Sequence, residues 1–297
     1  MKQYYTPGYI IFTVFNHIFI AVMALTCLLP FINMVSISFS SSNAAAAGRV
    51  GLWPMEFTVN SYNLVMQNAK FWKAAFVSVQ RILIGVPLNL LFTVITAYPL
   101  SKESFEFKMR NFYVWFFVIT MLISGGLIPY YLVIKTLGLM DSIWVLTVPG
   151  AFSIWYTIIM LNFFKGLPKE LEEAAFIDGA GYLTTLWKVI LPLSAPSLAT
   201  ITLFCIVGHW NSWFDGLLYM NRPDKYPLQS YLQTMNIDPV TLLRNITDPE
   251  TVARFLGTSK KTLRAAQLFI AAVPVLASYP FLQKYFTKGL VLGSVKG

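Results

Sequence analysis

The residues best suited to chemistry lie in one polar island, residues 170–196, which reads ELEEAAFIDGAGYLTTLWKVILPLSAP between two long apolar segments. The island holds four of the chain's 13 acidic residues: Glu170, Glu172, Glu173 and Asp178. Leu171, Ala174 and Asp178 recur at helical spacing, which predicts a short helix with a small-residue face that another protein could approach closely. Gly179 tolerates a positive φ and should end or turn this helix. From the residues alone, the island is more simply an ordinary solvated helix in a loop between two membrane spans, and a docking surface for a partner is the alternative.

The motifs of common enzymes are absent from the sequence. No GxxxxGK[ST] phosphate loop, GxSxG or HExxH occurs. The two histidines, His17 and His209, fall in different apolar segments, so neither a catalytic triad nor a histidine metal site is predicted. We therefore predict no catalytic residue, no metal site and no cofactor in this chain.

The composition is that of a membrane protein. Hydrophobic residues make up 56% of the chain and charged residues only 12%, about half the usual share in soluble domains. The net charge of +9 fits basic residues at helix ends facing anionic lipid, so nucleic acid is not a predicted partner. Apolar runs predict an all-α integral membrane protein with one domain over residues 1–297 and spans at about 10–37, 74–100, 112–133, 142–164, 187–220 and 263–285.

Six spans place both termini and the loop 165–186, which contains most of the polar island, on one side of the membrane. Lysines and arginines are divided almost evenly between the two sides, so charge alone barely decides the orientation. The loop 38–73 on the opposite side is predicted to end in an amphipathic helix that includes Leu64, Val65, Phe71 and Trp72.

Arg81 lies inside the second predicted span. A charged residue at this depth has two interpretations: its long side chain reaches the interface or pairs with another group, or it lines a solute pathway. Both remain open from the sequence.

A family resemblance rests on the polar island. Glu173, Ala174 and Ala175 are followed four residues later by Gly179, and after nine more residues by VILP at 189–192. This string resembles the EAA loop of bacterial ABC-importer permeases, with one departure, valine for isoleucine at the first position of the final motif. Asp178 and Ala180 extend the match toward the carbohydrate-uptake branch, which includes maltose transporters. The string SGGLIP at 124–129 is similar, more weakly, to a sub-branch for complex and uronic-acid oligosaccharides.

The resemblance implies a type I ABC-importer permease in the bacterial cytoplasmic membrane. Such a chain forms half of a heterodimer with a second permease and works with two cytoplasmic ATPase subunits, which bind ATP and Mg²⁺, and an extracytoplasmic sugar-binding protein. The resemblance places the EAA loop in the cytoplasm as a coupling helix, with Glu172, Glu173, Ala174, Ala175, Asp178, Gly179 and Ala180 as the residues facing the ATPase.

For an oligosaccharide path we predict aromatic and amide residues in the polar part of the fifth span: Trp210, Asn211 and Trp213. Indole faces can stack on sugar rings and amides can bind hydroxyls. Ser124, Gly125 and Gly126 are weaker candidates. The alternative for both tryptophans is anchoring at the membrane–water interface.

Three other functions remain to be weighed. A stand-alone secondary carrier or channel would make the EAA match accidental, and the sequence shows no inverted repeat of the kind that many carriers have. An ABC importer for a non-sugar solute is opposed by the Asp-Gly-Ala extension at residues 178–180. A sensory membrane protein is disfavoured because no soluble signalling domain is visible.

Overall fold

The computed structural model describes residues 7–123, 125–234 and 260–294, with side chains up to residue 278. Contacts divide the chain into two units, Met1–Ala69 with Met235–Ala272, and Lys70–Thr234 with Val273–Gly297. The predicted all-helical class is confirmed, since the regular elements of the described ranges are helices.

The first unit begins with helix α1 (Pro7–Ser38), which is long and apolar enough to cross a membrane. It covers the predicted first span, 10–37. Two short helices follow, α2 (Ser42–Ala46) and α3 (Asn60–Gln67).

Hydrogen bonds tie the segment after α1 to the end of that helix. The Ser36 hydroxyl donates to the Leu52 carbonyl at 2.6 Å, and the Asn33 amide donates to the Gly51 carbonyl at 2.7 Å. The Phe39 ring stacks on the Tyr62 ring with 4.6 Å between centroids. These contacts give a loop-rich segment a fixed backbone.

The amphipathic helix predicted through residues 64–72 is instead two helices. Helix α3 ends at Gln67, and α4 begins at Ala69. Asn68 between them has φ −79° and ψ 93°, an extended conformation that interrupts the helix. Asparagine favours such positions because its side chain competes with helical backbone bonds.

The second unit contains helix α4 (Ala69–Ser101) and the helices that pack beside it. In chain order these are α5 (Arg110–Leu122), α6 (Leu127–Thr136), α7 (Ile154–Lys165), α8 (Glu170–Ile177), α9 (Tyr182–Thr185), α10 (Leu191–Leu193), α11 (Ala195–Asn211), α12 (Phe214–Tyr219) and α13 (Leu228–Thr234). A buried apolar cluster joins α4, α7 and α11 through residues such as Ala97, Met160 and Ile201, each fully buried. Helix α14 (Lys260–Ser294), whose residues 260–272 belong to the first unit, covers the predicted sixth span, 263–285.

The predicted third, fourth and fifth spans are not single helices. The third, 112–133, is divided between α5 and α6, where Gly126 takes φ +82°, a conformation that glycine adopts without steric cost. In the fourth, 142–164, a 3₁₀ turn (Ile143–Leu146) is separated from α7.

The fifth predicted span, 187–220, is divided among a π-helical turn (Leu186–Ile190), α10, α11 and α12. The chain bends by 81° between residues 182–193 and 195–211. Pro192 and Pro196 flank this bend, and each removes a backbone donor that a continuous helix would need.

In the described part of the chain, two helices, α1 and α4, are long and apolar enough to span a membrane, and up to four spans result if each bent pair counts as one. The number of six spans stays a prediction.

Candidate functional site

Helix α8 is the short helix expected from the polar island. Its first turn carries Glu170, Glu172 and Glu173, negative charges that interact favourably with the exposed N–H groups of a helix start. The helix ends at Ile177, and Gly179 follows with φ +80°.

The C-terminus of α8 is closed by two backbone bonds. The Ala180 N–H donates to the Ala175 carbonyl at 2.9 Å, and the Gly179 N–H donates to the Phe176 carbonyl at 3.0 Å. This pair of bonds is a Schellman motif, which requires a left-handed residue where Gly179 stands. The glycine predicted to end the helix therefore does so.

One face of α8 is open. Glu173, Ala174, Asp178 and Gly179 are exposed, and Ile177, which the sequence reasoning did not select, is 86% exposed. Ile177 thus leaves a large apolar side chain exposed beside the small residues of α8. The sequence feature that could have identified Ile177 is a large apolar residue inside a polar island.

Glu172 points the other way, into the protein. Its carboxylate forms an ion pair with the Lys102 ammonium and accepts a hydrogen bond from the Tyr98 hydroxyl at 2.6 Å. The Lys102 ammonium also lies 4.2 Å from the centre of the Tyr98 ring. Lys102 is 9% exposed and Tyr98 6%. These three residues, named here the α4–α8 latch, fasten α8 to the C-terminal end of α4.

A second, exposed ion pair lies beside the latch. The Lys169 ammonium donates to the Glu103 carboxylate at 2.8 Å, with both side chains more than half exposed. That hydrogen bond lowers the pKa of Glu103 and raises the pKa of Lys169. Because water screens this pair, it contributes little to holding α8 in place.

A second cluster of polar side chains lies at the break between α11 and α12. The Arg81 guanidinium pairs with the Asp215 carboxylate through both of its terminal nitrogens. The Asp215 carboxylate also accepts bonds from the Ser212 hydroxyl and from the Gly216 N–H, each at 2.9 Å. Arg81 is 4% exposed, so it is paired within the protein rather than extended to an interface.

His209 continues this network, since the Arg81 Nε–H donates to the His209 Nδ1 at 3.3 Å. Its Nε2 lies 2.7 Å from the Asn89 side-chain oxygen, and the Asn89 amide donates to the carbonyls of Gly150 and Ala151 at 2.7 and 3.0 Å. Gly85 faces the His209 ring so closely that a Cβ at position 85 would overlap it. The network joins α4, α11 and the loop before α7.

The path residues predicted from α11 differ in accessibility. Trp210 is 4% exposed, so its indole presents no open face to a sugar in this structure. Asn211 is exposed, and Trp213 is 42% exposed. Trp213 lies in the break between α11 and α12, beside Asp215.

The weaker path candidates lie between α5 and α6. Gly125 and Gly126 are exposed, and Ser124 lies outside the described residues. In the described ranges, no group of three or more His, Cys, Asp or Glu side chains is placed to hold a metal ion.

The family described as "Binding-protein-dependent transport system inner membrane component" matches residues 7–290. The protein LplC of Bacillus subtilis (strain 168) is 39% identical over 289 residues, which cover 97% of this chain and 95% of LplC.

A second relative from the same organism is the polygalacturonan/rhamnogalacturonan transport system permease protein YtcP. It is 37% identical over 279 residues, covering 94% of this chain and 96% of that protein. A solved structure of a bacterial ABC transporter involved in the import of the acidic polysaccharide alginate contains a similar chain. It is 33% identical with a TM-score of 0.85, covering 96% of this chain and 100% of that one.

Proposed function

The chain belongs to the family of binding-protein-dependent transport system inner membrane components, and from this premise we propose how it acts as a permease subunit of an oligosaccharide importer. It is an integral membrane protein and a transport permease, not an enzyme. The type I importer permease fold agrees with the similarity to the alginate importer chain over almost its whole length.

The proposed cargo is a complex oligosaccharide that contains uronic acids. YtcP is named for polygalacturonan and rhamnogalacturonan, and the structurally similar transporter imports alginate. These polymers share acidic sugar units, and the SGGLIP string at residues 124–129 points to the same class. The observation that supports this substrate class is similarity at 33–37% identity along the chain.

The proposed assembly pairs this chain with a second, homologous permease in the bacterial cytoplasmic membrane. Two ATPase subunits bind ATP and Mg²⁺ on the cytoplasmic side, and an extracytoplasmic solute-binding protein delivers the oligosaccharide. Family membership supports a binding protein, an ATPase and a partner permease in general.

We assign ATPase docking to α8. The proposed contact surface consists of Glu173, Ala174, Ala175, Asp178, Gly179 and Ala180 together with Ile177. The observation that carries the assignment is that α8 is open on one face and fastened to α4 by Glu172 on the other. A displacement of α8 by an ATPase would therefore move the end of a 33-residue helix.

Transport then requires only that the two states of the permease differ in their contact free energy with the closed ATPase pair. On ATP binding, the two ATPase subunits approach each other and draw the α8 helices of the two permeases together. The α4–α8 latch carries this movement into the membrane part. ATP hydrolysis reverses these movements.

The proposed sugar path includes Asn211, Trp213, Gly125 and Gly126, with Ser124 and Trp210 retained as weaker members. Asn211 and Trp213 are the accessible polar and aromatic groups near the break between α11 and α12. Trp210 would contribute only if its ring became exposed in another transport state.

The test of the docking assignment is Glu173→Lys in the assembled importer. We expect normal membrane insertion but loss of the ATP hydrolysis that the loaded binding protein stimulates, because a positive charge would replace the negative charge of the docking face. Glu106→Lys is the matched control, an equal charge reversal at an exposed residue between α4 and α5. Wild-type stimulation in Glu173→Lys would overturn the assignment.

A further inference from the structure

A polar cavity of about 420 Å³ lies in the segment that links α1 to α4. This volume is within the range of small-molecule sites. Nine of the ten residues that line the cavity carry a neutral hydroxyl or amide, and the tenth is Leu64. Such a lining differs from the mostly apolar walls of ordinary ligand pockets and suits a ligand that is itself covered with hydroxyl groups.

One wall is a face of α3. Asn60, Asn63, Leu64 and Gln67 follow one another at intervals of three, one and three residues, so they lie on the same side of the helix. The three amide side chains are exposed and make no hydrogen bond with other described residues. Each amide offers both donors and an acceptor, the combination that pairs with neighbouring hydroxyls of a sugar ring.

The opposite wall is held in place before any ligand arrives. The Ser40 hydroxyl donates to the Ser36 carbonyl at 2.7 Å and accepts from the Met55 N–H at 3.0 Å. The Thr58 N–H donates to the Phe39 carbonyl at 2.9 Å. A wall fixed by backbone bonds reduces the ordering cost of binding.

The charges around the cavity favour neutral sugars over acidic ones. None of the lining residues is ionisable, so an acidic sugar would find no cation there. The Glu56 carboxylate accepts a hydrogen bond from the Ser41 hydroxyl of the lining. A negative charge beside an uncharged amide cavity disfavours uronates.

From this geometry we infer that the cavity between α2 and α3 binds a neutral sugar unit of the oligosaccharide on the outer side of the membrane. The inference rests on the proposed function and adds to it a site distinct from the path at the α11–α12 break. Rhamnogalacturonan, one of the two polymers in the name of YtcP, contains neutral rhamnose as well as acidic galacturonate units, so a site for neutral units suits that class of cargo.

The experiment measures hydrogen–deuterium exchange of residues 40–67 in the assembled importer in lipid nanodiscs without binding protein. The probes are galactotetraose, rhamnose-containing rhamnogalacturonan tetrasaccharide and tetragalacturonate. We expect the first two to protect the segment and tetragalacturonate to leave it unchanged. Asn63→Leu/Gln67→Leu should raise the apparent Kd about tenfold, because two neutral hydrogen bonds are lost. Met66→Leu, on α3 but outside the lining, is the matched control.

Several outcomes would overturn the inference. Protection by none of the three sugars, or equal protection in the double variant, rules out a sugar site at these amides. Protection only when the unloaded binding protein is added would assign the cavity to protein docking instead. If the importer shows ATP-driven import but sugars do not slow exchange in residues 40–67, only the sugar site in the cavity is refuted. If sugars slow exchange there but no import occurs, only the proposed function is refuted.

Discussion

Removing the charge of Glu172 should release α8 from α4. In Glu172→Gln the amide still accepts a bond from Tyr98, but the Lys102 ammonium loses its anion at a site where it is 9% exposed. Breaking a fully buried pair costs about 3–5 kcal/mol. Because the Glu172 side chain is 21% exposed, water offsets part of this loss, and we expect about 2–3 kcal/mol.

The assay is hydrogen–deuterium exchange of the α8 amides in the assembled importer. A loss of about 2–3 kcal/mol in the free energy of local opening corresponds to exchange faster by a factor of about 30–150. Import per ATP hydrolysed should fall as well, since a loose α8 no longer moves α4.

Two comparisons make this result specific. Glu103→Gln breaks the exposed pair with Lys169 and should change α8 exchange far less. Lys102→Met/Glu172→Leu removes both charges, so it should be more stable than Glu172→Gln. Exchange in Glu172→Gln within about twofold of wild type would refute the role of the latch.

Three further outcomes follow from the structure. Asp215→Asn should lower stability by about 2–4 kcal/mol in thermal unfolding because Arg81 remains buried and unpaired, whereas Arg81→Met/Asp215→Leu should restore much of that loss; equal losses in both would contradict the pairing. Asp141 lies outside the membrane spans, and the hydrogen bond from Lys225 lowers its pKa below 3.8, so its stabilising contribution is present above pH 3.8 and is lost as the pH falls. The difference in melting temperature between wild type and Asp141→Asn should thus be constant from pH 5 to 7 and disappear in strong acid. A difference that grew as the pH fell would contradict a lowered pKa of Asp141. Gly179→Ala should cost about 1–2 kcal/mol because alanine resists φ +80°, measurable as a lower melting temperature; an unchanged value would show that the Schellman turn is not required.

The family and α8 could be predicted because their signals are local. The spacing of Glu173, Ala174, Ala175 and Gly179 identifies the EAA loop within a few residues, and glycine at a helix end has a direct conformational reason.

The contacts that hold the site together could not be read from the sequence. The Lys102–Glu172 pair joins residues 70 positions apart, and Arg81 meets Asp215 across 134 positions. Hydrophobic periodicity gives the face of a helix but not the partner helix. Long apolar stretches also conceal where a helix is interrupted, as the fifth predicted span shows.

The burial of Trp210 illustrates the same limit. The residue type and its position among polar neighbours suit a sugar path, yet the fold places the indole inside the protein with 4% exposure. Only packing determines which of two nearby tryptophans faces outward, and here it is Trp213.

We propose that this chain works only as one subunit of an ATP-driven importer. Affinity purification of the tagged protein from its native membrane in mild detergent, with identification of the co-purifying chains, tests this claim most directly. We predict recovery of an ATPase and a second permease of the same family. Recovery of this chain alone, able to move an oligosaccharide into liposomes without ATP, would contradict the account and favour a stand-alone carrier.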